Sequence, residues 1–245
     1  VDTLRRQLAE LAGRHVEDGA IVVLDNTSGE VLAWVGANGA SSAAAEVDGV
    51  LARRQPGSTI KPFVYALAFE QRLLTPASLI DDSPAQISTA SGLYLPRNYD
   101  HEFKGWVSAR TALGASLNVP AVRVAMLLGP DALFTRLNDF GLALPESGGF
   151  HGHSLALGSA DVTLLALSNA YRALASGGVW SAVPLRGAAP AKKRVADAAA
   201  VHLVTDILAD NNARVRTFGW SSALATHGFA AVKTGTSKDM RDNWC

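Results

Sequence analysis

The sequence predicts an α+β fold, an antiparallel sheet packed with helices. Three observations carry that prediction: two β-rich runs near the start, a long middle at helical spacing, and β-type runs again at the end. In chain order, TLRRQLAELAGR sets Leu4, Leu8 and Leu11 on one helical face. AIVVLD and VLAWVG flank NTSGE, with Gly29 in the loop, and read as a β-hairpin. Residues 36–50 are rich in Gly, Ala and Ser and read as a flexible loop. From Ser58 the chain reads as helix to about Leu74, stopped by Thr75-Pro76. Asp81 to Gly105, containing LPRNYD, reads as irregular and polar.

Helical patterns follow at SARTALGAS, VPAVRVAMLLG, PDALFTRLNDFG, SADVTLLALSNAYRALASGG and VADAAAVHLVTDILADNN. Residues 182–193 read as a surface loop, while FAAVKTGTS and NWC read as strands. No repeat and no long linker divides the chain. We expect one domain over residues 1–245, with a sheet part at 1–57 and 195–245 and a mostly helical part at 58–194.

Composition narrows the function. The 245 residues are long enough to bury a sizeable core; 48% are hydrophobic and 18% charged, as in an ordinary globular protein. Net charge is zero, so nothing argues for nucleic acid or an anionic membrane surface as partner. One cysteine, Cys245, excludes an internal disulfide and a zinc cluster of cysteines. No apolar run reaches membrane-spanning length, and a chain beginning at Val1 and stopping at Cys245 in a strand-like run reads as an excised fragment. There are six lysines against sixteen arginines. Arginine cannot deprotonate in a protein and a buried lysine can, so the lysines retained merit inspection.

Three short motifs carry the chemistry. In Ser58-Thr59-Ile60-Lys61, hydroxyl and amine lie one turn apart on a helix start, whose unpaired N–H groups favour an oxyanion. Burial among Pro62, Phe63 and Tyr65 would lower the Lys61 pKa toward that of a base. Ser116-Leu117-Asn118 offers a hydroxyl and a carboxamide before Val119-Pro120, able to relay a proton and hold a carbonyl. Lys233-Thr234-Gly235-Thr236 offers a carboxylate site on a strand whose glycine lets another backbone approach. Each alone also reads as ordinary structure: an N-cap with a solvated lysine, a helix end before proline, a lysine guarding a sheet edge. Each pattern occurs once, and the three fall in the order S-x-x-K, S-x-N, K-T-G.

That ordered set resembles the signature of class A β-lactamases and penicillin-binding proteins. RRQPGSTIKPFVYALAFE, LPRNYDHEFKGWVSARTALGASLNVPAVR, SLALGSADVTLLALSNAYRALASGG and VKTGTSKDMRDNW together resemble the transpeptidase domain of class A (bifunctional) penicillin-binding proteins, over nearly the whole chain. The resemblance implies a five-stranded antiparallel sheet covered by helices, an all-helical subdomain, and a last sheet strand lying beyond Cys245. It implies peptidoglycan stem peptides as substrate, β-lactam antibiotics as covalent inhibitors, and no metal or organic cofactor. It gives Ser58 as the nucleophile acylated by D-alanyl-D-alanine, Lys61 as its base, and Asn118 as the group that binds the substrate amide and steadies Lys61. Ser116 with Lys233 would protonate the leaving nitrogen; Thr234, Gly235 and Thr236 would bind the terminal carboxylate segment. The backbone N–H groups of Ser58 and Thr236 would form the oxyanion hole. It further implies an upstream glycosyltransferase domain and a parent protein anchored by an N-terminal transmembrane helix at the periplasmic face of the bacterial inner membrane.

Rival readings have sequence support of their own. A class A β-lactamase would need a deacylating glutamate, and Glu146 in LPESGG stands in the right interval without the Glu-Pro setting of those enzymes. A sensor that binds β-lactam or muropeptide without turnover would keep the same motifs. Gly152-His153-Ser154-Leu155-Ala156 approaches a G-x-S-x-G nucleophile elbow, although PESGGF before it is a loop, and His151 with His153 offers two metal ligands without a third or fourth.

Overall fold

Residues 1–37, 44–89, 92–184 and 190–245 are described by the computed structural model. The loops expected at 36–50 and 182–193 fall partly outside them. Helix α1 (Asp2–Glu10) precedes an antiparallel hairpin of β1 (Ile21–Leu24) and β2 (Val31–Val35), Ile21 opposite Val35. The hairpin turn is built by Asp25, whose Oδ1 accepts the Thr27 and Ser28 N–H groups, and by Gly29 at φ +80°.

The organising element is α2 (Lys61–Glu70), preceded by a 3₁₀ turn over Gly57–Ile60. Every residue of α2 from Lys61 to Phe69 is buried, as a helix apolar on all sides from Pro62 onward requires, and Lys61 is buried with them. The expected helix from Ser58 to Leu74 is therefore shorter at both ends. Pro62 has no N–H to give the Ser58 carbonyl, and Lys61 N–H bonds that carbonyl instead, closing a tighter turn. At the far end Arg72 adopts φ +57°, which no α-helix admits.

Between Asp81 and Gly105 the irregular reading is corrected. Here β3 (Leu79–Asp82), β4 (Ile87–Thr89), β5 (Gly92–Tyr94) and β6 (Gly105–Ser108) form two antiparallel pairs, β3 with β6 and β4 with β5. The inward residues of β3 are Ile80 and Asp82, so a buried carboxylate stands where a hydrophobic alternation would have revealed the strand.

The helical middle follows the sequence closely: α3 (Ala109–Gly114), α4 (Asn118–Leu128), α5 (Pro130–Asp139), the short α6 (Gly148–His151), and α7 (Leu164–Ala175). After the pair β7 (Val179–Trp180) and β8 (Lys193–Arg194) come α8 (Ala198–Ala209) and α9 (Asn211–Phe218). Helix α2 lies against α4, α5 and α8, with Phe63 edge-on between Phe140 and Tyr171 at centroid distances of 4.9 and 5.5 Å. Glu70 ends α2 in a two-point pair with Arg136 and also accepts the Asp197 N–H; the Arg136 hydrogen bonds hold its carboxyl below the usual range.

The strand expected over FAAVKTGTS is likewise shorter. Only β9 (Gly235–Thr236) pairs, with β10 (Asn243–Trp244), because Val232 N–H is taken by the Leu208 carbonyl in α8. Among the described residues the antiparallel ladders form five two-stranded units rather than one continuous sheet. No helix among them is long and apolar enough to cross a membrane.

Candidate active site

Ser58 sits in the 3₁₀ turn, half-exposed, with the turn pinned from below. Tyr171 donates its hydroxyl to the Thr59 carbonyl at 2.7 Å, and Thr59 Oγ1 donates to the Pro56 carbonyl at 2.8 Å. Three glycines bring backbones together around it. A Cβ on Gly57 would lie 2.3 Å from the Thr236 carbonyl oxygen, and one on Gly235 would lie 2.4 Å from that of Pro56. Gly158, at φ +74°, would place a Cβ 2.3 Å from the Gly57 oxygen and 2.4 Å from its nitrogen. The clearance expected at Gly235 is thus used by the Ser58 turn itself. Gly158 was not legible as a site residue; its only signal is a glycine closing SLALG.

Lys61 is fully buried, and its Nζ donates to the Ser116 carbonyl and to Asn118 Oδ1, each at 2.6 Å, with Ser116 Oγ farther at 3.4 Å. Ser116 bridges α3 and α4 in the left-handed region, φ +60°, a strained conformation for a residue with a Cβ. Its Oγ accepts from Lys233 Nζ at 2.7 Å, and Lys233 also donates to the Thr234 carbonyl at 2.8 Å. Asn118 is the first residue of α4 and donates Nδ2 to the Arg97 carbonyl at 2.8 Å, leaving one amide hydrogen for another partner.

The structure therefore gathers Lys61, Ser116, Asn118 and Lys233 into one hydrogen-bonded cluster, and sets Gly235 and Thr236 against the Ser58 turn. Thr234 and Thr236 are both half-buried, and Thr236 Oγ1 donates to Asn243 Oδ1 at 3.4 Å. The Ser58 hydroxyl makes no hydrogen bond among the described residues.

Burial sets the electrostatics. It drives Lys61 well below the ordinary lysine range, and the positive charge of Lys233 adds to the effect. Burial likewise pushes Lys233 down to about 7; charge at Cys245 opposes this and the Arg214 guanidinium reinforces it. Arg214, buried on α9, donates to the carbonyls of Leu208 and Leu224 and so also braces the segment carrying Val232. A stability signature follows. Between pH 7 and 9 the unfolded chain binds protons on lysine that the folded chain does not, so stability must rise with pH. The melting temperature is expected to climb from pH 7 to 9 and to flatten in Lys61→Met and Lys233→Met. A flat or falling profile in the native sequence would contradict the burial of neutral amines.

The other candidates lie elsewhere in the fold. Ser154 is in a 3₁₀ segment, Gly152–Leu157, where its hydroxyl donates to the His151 carbonyl and lies 3.0 Å from the Ser159 hydroxyl, so it is not a strand-to-helix elbow. Glu146 Oε2 pairs with His151 Nε2 at 3.2 Å. Among the described residues no three His, Cys, Asp or Glu side chains cluster as a metal site.

Residues 19–243 match the family described as penicillin binding protein transpeptidase domain, and the chain belongs to that family. Its relatives include penicillin-binding protein 1C of Escherichia coli (strain K12), 37% identical over 98% of this chain, and penicillin-binding protein 1B of Vibrio cholerae, 33% identical over 97%. The chain spans 32% of each of these proteins. The solved structure of penicillin-binding protein 1A from Haemophilus influenzae shares the fold, with a TM-score of 0.69, 24% identity, and coverage of 78% of this chain and 34% of that one.

Proposed function

We propose that this domain is a serine DD-transpeptidase of peptidoglycan, acylated at Ser58. The observation that carries the reading is the state of the Lys61 amine. It is buried and displaced toward the neutral form, one turn from Ser58, with its Nζ held at 2.6 Å by both the Ser116 carbonyl and Asn118 Oδ1. The lone pair of the neutral amine is then available for the Ser58 proton.

The steps balance as follows. Ser58 Oγ attacks the carbonyl between the two D-alanines while its proton passes to Lys61. The tetrahedral oxyanion is held by the Ser58 and Thr236 backbone N–H groups. The C–N bond breaks as Ser116 Oγ gives its proton to the leaving nitrogen of D-alanine and is replenished from Lys233, which donates to it at 2.7 Å. Asn118 holds the substrate amide with its free Nδ2 hydrogen; Thr234, Gly235 and Thr236 receive the terminal carboxylate. An acceptor amine then attacks the acyl ester and passes a proton through Ser116 to Lys233; the ester C–O bond breaks as Lys61 returns its proton to Ser58 Oγ, and a cross-link is made. The family and its relatives support placing the parent protein at the periplasmic face of the inner membrane, with a glycosyltransferase domain upstream and the whole chain 1–245 acting as one transpeptidase domain.

The test is intact-mass detection of a penicilloyl adduct after incubation with a fluorescent penicillin. One adduct at Ser58 is expected, absent in Ser58→Ala. A Ser58→Ala protein that still takes up label at the native rate would refute the assignment. Rapid, repeated hydrolysis of a cephalosporin would point to a β-lactamase, and stable acylation without transfer to any acceptor amine to a sensor.

A further inference from the structure

Helix α4 begins at Asn118, yet its N-cap, Leu117, has no side chain able to bond the free N–H groups of the first turn. The cap comes from elsewhere. Asn98, buried in the loop between β5 and β6, accepts the Asn118 N–H on its Oδ1 at 2.8 Å and the Val119 N–H at 3.4 Å. Its Nδ2 is committed in the opposite direction, to both carboxylate oxygens of Asp82 at 2.9 and 2.8 Å and to the Glu102 carbonyl at 2.8 Å. Asp82 is fully buried at the end of β3 and also accepts the Lys104 N–H at 2.9 Å.

Two consequences follow from donor and acceptor chemistry alone. A carboxylate only accepts, so Asp82 turns the Asn98 amide to present nitrogen to itself and oxygen to α4. The neighbouring Arg97 carbonyl then receives Asn118 Nδ2, so the loop grips Asn118 by backbone and side chain together. The remaining Asn118 oxygen faces Lys61 Nζ at 2.6 Å. An unbroken run of hydrogen bonds thus joins Asp82, Asn98, Asn118 and Lys61.

We propose that Asn98, oriented by Asp82, is a positioning residue for acyl transfer: it acts through Asn118 to hold Lys61 in line with Ser58. The proposal rests on the transpeptidase reading above. Asn98 touches neither Ser58 nor Lys61, and its effect runs wholly through the residue it caps.

The test compares Asn98→Ala and the milder Asn98→Ser, whose hydroxyl still offers Asp82 a donor, with Asn118→Ala and each double variant in the full chain. Stopped-flow acylation by a fluorescent penicillin separates the acylation constant from the affinity of the initial complex. Asn98→Ser should slow acylation by about 10- to 100-fold, the loss expected of a displacement of about 1 Å, with affinity unchanged. Combined with Asn118→Ala it should add nothing, because the two act in series. A merely structural role would instead multiply the losses. Hydrogen exchange gives a second readout that needs no penicillin: the peptide spanning residues 117–122 should exchange faster in Asn98→Ser and be unchanged in Ser58→Ala. Native-rate acylation, multiplicative losses, or unaltered exchange in Asn98→Ser would each overturn the proposal. A native chain that takes no label would instead overturn the transpeptidase reading, with exchange still deciding whether Asn98 holds Asn118.

Discussion

On the proposed function, Lys61→Arg is expected to lower the acylation rate by about 10²- to 10⁴-fold, the range for loss of a general base. The reasoning is protonic. Arginine keeps its charge under any working condition and has no lone pair to accept the Ser58 proton. Its larger head would also be forced into a fully buried site now filled by one amine, with acceptors at 2.6 Å on two sides. A loss in Lys61→Arg alone would therefore be ambiguous, so Lys61→Met is its companion. Methionine has similar length and no charge to desolvate, and that variant should fold at least as stably while acylating as slowly as Lys61→Arg. Acylation of Lys61→Met within tenfold of the native rate would mean that another group takes the proton.

Gly158→Ala has the second large effect, and it acts from outside the motifs. The added methyl would meet the Gly57 backbone at 2.3 to 2.7 Å, and backbone cannot swing aside as a side-chain tip can. Overpacking costs about 1–3 kcal/mol and the left-handed conformation about 1–2 more. In a domain of this size that lowers the melting temperature by roughly 4–20 °C. Below the melting point, a Ser58 turn displaced by about 1 Å should acylate about 100-fold more slowly. Gly152→Ala is the control: Gly152 also has positive φ, but nothing lies within 4 Å of its added Cβ. It should lose stability and keep its acylation rate. Equal acylation by the two variants would separate Gly158 from the site.

What could be read from the sequence followed a physical rule. Ser58-Lys61, Ser116-Asn118 and Lys233-Thr236 could be picked out because each motif keeps its polar groups within four residues and the three fall in one order along the chain. The helices were legible because they bury apolar stripes long enough to show a period. Asn98 and Gly158 were not, since their work is done on residues distant in sequence and nothing local requires it. Strand β3 was hidden because Asp82 occupies an inward position. The K-T-G strand was overextended because FAAV has β character, yet its Val232 amide is claimed by α8. A partner taken from a helix leaves no mark in a strand's own pattern.

The crossing of backbones at Gly57, Gly158 and Gly235 also sets when the site comes into being. These segments lie near the start, beyond the middle and near the end of the chain, so their meeting closes long loops and belongs to the slow, non-local part of assembly. During synthesis the Ser58 turn leaves the ribosome well before the segment that must lie across it. A nascent or half-refolded chain holds the nucleophile without the wall that completes its cleft. On the proposed function, uptake of a penicillin label is therefore expected to time the last stage of folding.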